Sequence, residues 1–496
     1  MPVVNTGSGP VRGVEEGPVA AFRGVPYAAS PVGELRFAAP QPHPGWSGVR
    51  DAARPGPAVP QEHSRLEAVM GARPPDWDED GCLNLNVWTP LTALAGTGAG
   101  AGAAEPRPVL VWFHGGGWSS GSGGWDWYDG GRLAALGGIV VVTANYRIGP
   151  LGYLHLPSIG ADNLGPQDQG AVLRWVRDNI AAFGGDPGLV TVGGQSAGAY
   201  SSLHLAIDPG TSGLVRRMIV QSGPLGLAPQ DPVDADGSAA AYLRVLGVDR
   251  ADDPGRALRA LSIEELLDAY QRLAAVLDRP PGDIAPPMWP VLGHPGTPRT
   301  WQQAVADGAL DGKDVLIGTV ADEMTAFLAF DPRMRDLTRD GALGLLAGLT
   351  GRLGPDAPAA YERYEAERPG AAPDRVYTDL ATDRVFRDGG TRIAAHRAAQ
   401  GAASYLYRFT RRPDPDEHGL RATHCCELPF LFGTFETYPD APMLGPVGDR
   451  DRTLGRAFGG ALAAFVATGS PNGDGLAQWR PYGPGPDTNV MCFGLP

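Results

Sequence analysis

Leu189-Val190-Thr191-Val192-Gly193-Gly194-Gln195-Ser196-Ala197-Gly198 is an apolar, β-branched run that stops on two glycines and turns at a serine. An Ala- and Leu-rich stretch of helical character follows it. The pattern predicts a strand, a tight turn and a helix. A serine at such a turn must hold an unfavourable backbone conformation, and small residues on either side let strand and helix approach without clashing. The helix N-terminus beneath it favours developing negative charge.

Upstream, Gly138 to Tyr146 is a continuous apolar run bounded by turn residues, as expected of a central parallel strand covered on both faces. Pro108 to Phe113 reads as another strand, and Leu83 to Trp88 alternates apolar and polar, predicting a strand with one face buried. A helix is expected over Gln167 to Phe183, where Ala171, Val172, Trp175 and Val176 fall at helical spacing, and Val215 to Gln221 reads as a further strand. Strand and helix thus alternate from about residue 108 to 222, which predicts an α/β fold with a doubly wound, mostly parallel sheet. The first 60 residues, broken by Pro and Gly, read as a covering segment, and Leu91 to Arg107 as an exposed Ala/Gly/Thr loop. Gly98 to Gly102 misses the spacing of a dinucleotide fingerprint. Helical insertions are expected at about 224–300 and 324–400, over the strand ends, with strands at Asp314 to Gly318 and Ala403 to Phe409. The whole chain, 1–496, reads as one domain.

Gly194-Gln195-Ser196-Ala197-Gly198 in this strand–turn–helix context matches the nucleophile elbow of the α/β-hydrolase fold. Acyl transfer at that serine generates a tetrahedral oxyanion, and His114-Gly115-Gly116-Gly117, just past a strand, can aim successive backbone N–H groups at it. Gly116, Gly117 and the N–H of Ala197 are assigned to this oxyanion hole. A base and an acid must follow the nucleophile in chain order. Among the later histidines, His204 lies eight residues along the elbow helix, about 12 Å up its axis. His294 and His418 sit in Pro/Gly-rich loops and His396 in a helical stretch, whereas His424 lies in a loop after a late strand. Glu323, just past the strand at 314–318, suits the acid, with adjacent Asp322 as its competitor. No HExxH or paired CxxC spacing occurs, so no metal and no cofactor is expected.

The net charge of −14 argues against nucleic-acid or anionic-membrane partners, which need a basic footprint. No run of about 18 apolar residues appears, and no basic-then-apolar leader opens the chain. Cys82, Cys425, Cys426 and Cys492 imply no disulfide framework. A cytoplasmic monomer or small homo-oligomer acting on a small-molecule ester is the expectation. Lys313 is the only lysine against 40 arginines, which points to a GC-rich bacterial source.

Several further stretches resemble the type-B carboxylesterase and cholinesterase family. They are Phe22-Arg23-Gly24-Val25-Pro26-Tyr27-Ala28, Gly33-Glu34-Leu35-Arg36-Phe37, Glu79-Asp80-Gly81-Cys82-Leu83-Asn84-Leu85-Asn86-Val87-Trp88, Asn145-Tyr146-Arg147 and Asn179 to Pro187. The resemblance spans nearly the whole chain and implies a Ser196, Glu323, His424 triad and a buried Arg147–Asp168 ion pair. It also implies that Ser222 supports the catalytic histidine through a hydrogen bond. Two departures stand out. Gln195 replaces the glutamate that often precedes the family nucleophile, which disfavours cationic substrates, and no cysteine precedes Cys82 to pair with it as in animal members. The expected activity is hydrolysis of uncharged carboxylic esters of small to medium size through an acyl-enzyme, in a largely apolar pocket walled by Trp118, Phe327 and Phe330. A carbamate or anilide/amide hydrolase with the same triad is the alternative, and a non-catalytic binding or adhesion homologue a remote one.

Overall fold

The computed structural model describes residues 1–74, 76–95, 105–277, 279–483 and 488–494. Its main sheet contains β1 (Val14–Glu16), β2 (Val19–Pro26), β3 (Asn84–Pro90), β4 (Arg107–Phe113), β5 (Val140–Ala144), β6 (Gly185–Gln195), β7 (Arg217–Gln221), β8 (Asp314–Val320), β9 (Tyr405–Phe409) and β10 (Val490–Phe493). Across the sheet they run β10-β9-β8-β7-β6-β4-β5-β3-β2-β1. Every pairing from β10 to β5 is parallel, and those of β5 with β3, β3 with β2 and β2 with β1 are antiparallel.

Alternation along the central strands sends side chains to opposite faces, and each face finds its own cover. Val109, Val111 and Phe113 of β4 join Val172 and Val176 of the helix Leu164–Asn179 and Tyr200 and Leu203 of the helix Ala197–Ile207. Leu110 and Trp112 instead join Phe432 from Leu428–Phe432 and Phe458 and Leu462 from Asp449–Thr468. Each such side chain contributes roughly 1.5–3 kcal/mol of burial. Arg147 and Asp168 form the buried pair that the family resemblance implies, with guanidinium–carboxylate contacts of 2.8 Å.

Two expectations need correction. β3 is buried along its whole length rather than on one face, because its polar residues find partners inside. Asn86 Nδ2 donates to Gly123 O and Thr143 Oγ1, both at 3.0 Å, and its Oδ1 accepts from Gly24 N–H at 3.0 Å. The N-terminal segment is also more than a cover, since it supplies β1 and β2 and a small separate sheet of Val3–Thr6, Gly9–Arg12 and Arg50–Asp51. Within Leu91 to Arg107, Leu91–Leu94 is a short helix, and the glycine run at 98–102 lies outside the described residues.

The stretches 224–300 and 324–400 both carry helices. The first carries Pro232–Leu246 and Ile263–Leu277, joined where Tyr242 Oη donates to Leu266 O at 2.7 Å. The second includes Arg339–Gly348, Ala357–Glu367, Pro373–Thr382 and Asp388–Ala399. Ile284 from the first region packs in a cluster with Leu346, Tyr361 and Tyr377 of the second, so the two meet.

Candidate active site

The end of β6 runs into the helix Ala197–Ile207 through Ser196, whose backbone sits at φ 57° and ψ −124°. Such a conformation costs about 1–3 kcal/mol and persists only where its surroundings enforce it. Here Ser196 N–H donates to Gln221 O on neighbouring β7 at 2.9 Å, and Ser196 O accepts from Tyr200 N–H at 3.0 Å. The flanking glycines are a steric requirement. A Cβ on Gly198 would fall 2.0 Å from Phe113 O, and one on Gly194 would fall 2.4 Å from the Gly198 carbonyl carbon.

Glu323 lies just past the end of β8 and His424 in the loop between β9 and the helix Leu428–Phe432, and both are fully buried. Glu323 Oε1 accepts from Val320 N–H at 2.9 Å, which leaves Oε2 to meet His424 Nδ1 at 2.5 Å. The imidazole lies between Phe386 and Phe327, at centroid distances of 4.9 and 5.3 Å. Its Nε2 faces the Gln195 side-chain amide at 3.2 Å, and Gln195 Oε1 receives the Cys425 thiol at 3.5 Å. Among the described residues no hydrogen bond joins Nε2 to Ser196 Oγ. Catalytic contacts of this kind are commonly loose before substrate binds. Asp322, the competing acid, is committed to Arg375 at 2.7 Å.

Gly116 and Gly117 turn at φ 107° and 59°, and the turn is fixed by Ser119 and Ser120 N–H groups that both donate to Gly116 O at 3.1 Å. Among the described residues the N–H groups of Gly116 and Gly117 donate to no acceptor, and Ala197 N–H opens its helix unpaired, as first-turn donors do. These donors and Ser196 face one cleft, whose lining includes Trp118, Phe327, Cys425 and Arg65. Trp118 packs edge-on against Tyr200 at 5.3 Å. Phe330 does not belong to this wall. It is 43% exposed and rests on His418, because the short helix Thr325–Leu328 ends before it and carries it outward.

Ser222 lies buried at the end of β7, with its N–H on Gly318 O at 2.8 Å. The hydrogen bond to the histidine expected of it is not formed. Its hydroxyl instead faces Glu427, which the sequence reading missed. Glu427 is fully buried, and neither its oxygens nor Ser222 Oγ have a hydrogen bond within 3.5 Å among the described residues. Burial foremost, and then the nearby Glu323 charge, push the Glu427 carboxyl up to about 8; His424 and the Ser222 hydroxyl oppose the rise. Glu427 therefore holds a proton at neutral pH. Nothing in His424-Cys425-Cys426-Glu427 signals this beyond a carboxylate beside an apolar segment.

His204 is buried with both ring nitrogens unpartnered and stacks on Tyr200 at 4.5 Å; burial lowers it to about 3. Outside the cleft lining, His155, Asp162 and His294 bring ligand-type atoms within 4.8 Å of one another, and His294 Nδ1 already pairs with Asp162 at 2.9 Å. No step of ester chemistry involves them.

A large, mostly parallel sheet with an elbow serine at one strand tip and an acid–histidine pair at two others is an α/β-hydrolase. The chain belongs to the carboxylesterase family, whose model matches residues 1–495, and it is a carboxylic ester hydrolase. It is 36% identical to the phenmedipham hydrolase of Pseudarthrobacter oxydans over 97% of this chain and 93% of that one. It is 35% identical to the para-nitrobenzyl esterase of Bacillus subtilis over 97% and 92% of the two chains. The solved carboxylesterase of Geobacillus stearothermophilus superposes with a TM-score of 0.83 at 35% identity, covering 99% of this chain and 96% of that one.

Proposed function

We propose that Ser196 is the nucleophile, His424 the general base and then acid, and Glu323 the group that fixes the imidazole tautomer. The observation that carries the proposal is the 2.5 Å contact between His424 Nδ1 and Glu323 Oε2, made at strand tips beside the Ser196 elbow. With Nδ1–H directed at Glu323, Nε2 keeps a free lone pair to take the Ser196 proton. Ser196 Oγ then bonds to the ester carbonyl carbon, and the developing oxyanion accepts from the N–H groups of Gly116, Gly117 and Ala197. Collapse expels the alcohol, which leaves with the proton from Nε2. A water attacks the acyl-enzyme by the same route, and the acid and Ser196 are released. Gln195 supports this cycle by donating its amide to Nε2 in the resting enzyme, and it yields to the serine when substrate binds.

The substrate class proposed is uncharged carboxylic esters of small to medium size. An amide at Gln195 in place of a carboxylate removes the charge that would attract cations, and Trp118 and Phe327 supply apolar walls. The relative named for hydrolysing phenmedipham supports carbamates as the second reading. No helix among the described residues is long and apolar enough to cross a membrane. The proposal extends to a cytoplasmic bacterial setting and a monomer or small homo-oligomer, supported by four free cysteines and the arginine-for-lysine composition.

The test is hydrolysis of p-nitrophenyl esters from acetate to decanoate, with a phenyl carbamate alongside, by wild type and Ser196→Ala. Loss of about 10³-fold or more in the folded variant is expected, because the triad acts as a unit. A folded variant that keeps its rate overturns the assignment. Faster turnover of the carbamate favours the second reading.

A further inference from the structure

Arg65 carries the one ionised side chain among the described residues that line the cleft around Ser196. Its guanidinium lies over the face of Phe327, 5.3 Å from the ring centroid, and Phe327 in turn contacts His424 at 5.3 Å. It also lies against the oxyanion loop, where a Cβ on Gly117 would meet Arg65 Nη2 at 2.8 Å. The side chain is exposed, and besides this cleft it borders a second groove lined by Glu62, Tyr270 and Asp283. Desolvation by the protein atoms packed around it lowers its pKa, although a guanidinium stays charged at any working pH.

No hydrogen bond or ion pair joins Arg65 to any described residue. The carboxylate nearest in influence, Asp283, is taken by Arg279 at 2.9 Å and by Arg352 at 3.5 Å. Tyr270 also faces Arg65, and Arg279 adds a further positive charge nearby. On a protein of net charge −14, this cleft is left with a cation whose N–H donors have no hydrogen-bond or ion-pair partner among the described residues. A planar fork of N–H groups matches a carboxylate, and a low-dielectric wall strengthens the match.

We propose that Arg65 is a substrate-binding residue that selects esters bearing a second, acidic group such as a carboxylate, held beside the oxyanion loop. The inference rests on Ser196 being the nucleophile. It widens the substrate class proposed above, in that uncharged esters are turned over without Arg65 and acidic ones gain from it.

The experiment compares kcat/KM for matched pairs in wild type, Arg65→Met and Arg65→Lys. On the acyl side the pair is p-nitrophenyl butyrate and the p-nitrophenyl monoester of glutaric acid. On the alcohol side it is phenyl acetate and 4-carboxyphenyl acetate. The ratio of acidic to neutral substrate should fall about 10- to 100-fold in Arg65→Met in at least one pair, the range expected for a charged hydrogen bond. Arg65→Lys should retain part of the ratio, and each ratio is read against the same variant's rate on the neutral ester, so that a general loss from the altered wall cancels. Raising the salt concentration should erode the wild-type ratio and leave that of Arg65→Met unchanged. If both ratios are the same in wild type and Arg65→Met while neutral esters are still hydrolysed, the Arg65 inference is wrong and the Ser196 assignment stands. If wild type hydrolyses no ester at all, it is the Ser196 assignment that fails.

Discussion

The floor of the active site and its wall are built by different physics. The floor is backbone. Ser196 N–H bonds to Gln221 O and Ser222 N–H to Gly318 O, so three neighbouring strand tips position one another directly, and Val320 N–H holds the Glu323 carboxylate at the third tip. The wall is made of side chains from distant segments, with Arg65, Trp118, Ile284 and Phe327 held by ring faces and apolar packing. A floor of this kind tolerates little change and serves one chemistry. A wall of this kind can be recut to change which ester fits.

The contrast predicts steep losses at the floor. Glu323→Gln keeps the shape but no longer enforces Nδ1–H on His424, and kcat/KM should drop by roughly 10³- to 10⁴-fold, as when other triad acids become amides. A loss under about tenfold would show that the floor does not depend on this pair. Gly198→Ala forces a Cβ into the Phe113 carbonyl and should destabilise by at least the roughly 1–3 kcal/mol typical of overpacking, read as a lower denaturation midpoint.

Glu427 beneath the histidine gives a subtler test. Its carboxyl is raised from 4.5 to about 8 in the folded state. Between those values the native state holds a proton that the unfolded chain has lost, so this group lowers stability as pH rises. The slope is at most about 1.4 kcal/mol per pH unit, and it levels off above the folded value. Glu427→Gln removes that slope. Denaturation at pH 5 and pH 8 should therefore show the variant gaining on wild type at the higher pH, and equal differences at both would mean that Glu427 is not buried neutral. The smallest effect is expected from the wall. Phe327→Ala should shift KM and chain-length preference by about tenfold or less, and Phe330→Ala by less than about twofold.

The same division explains what was legible in the sequence. The elbow is local: four residues of apolar strand, two glycines and a serine carry their own geometry, and Ser196 could be read from them. The position of Glu323 follows from the apolar strand that ends just before it, and that of His424 from chain order and from a loop that follows a late strand and leads into an apolar segment. Contacts between segments far apart in sequence were not legible. Phe327 and Phe330 look alike in the sequence, but a short helix sends one to the histidine and the other to solvent. β3 reads as half-exposed because Asn84 and Asn86 are polar, and only their internal partners make full burial possible. Glu427 and Arg65 owe their character to what surrounds them rather than to neighbouring residues.

The central claim, that Ser196 is the nucleophile, is tested most directly by incubating the enzyme with diethyl p-nitrophenyl phosphate and mapping the modified peptide by mass spectrometry. The account predicts one diethylphosphoryl group per chain on Ser196, with p-nitrophenol release and loss of esterase activity in step. Inactivation with the adduct on another residue, or full activity with Ser196 modified, would contradict it.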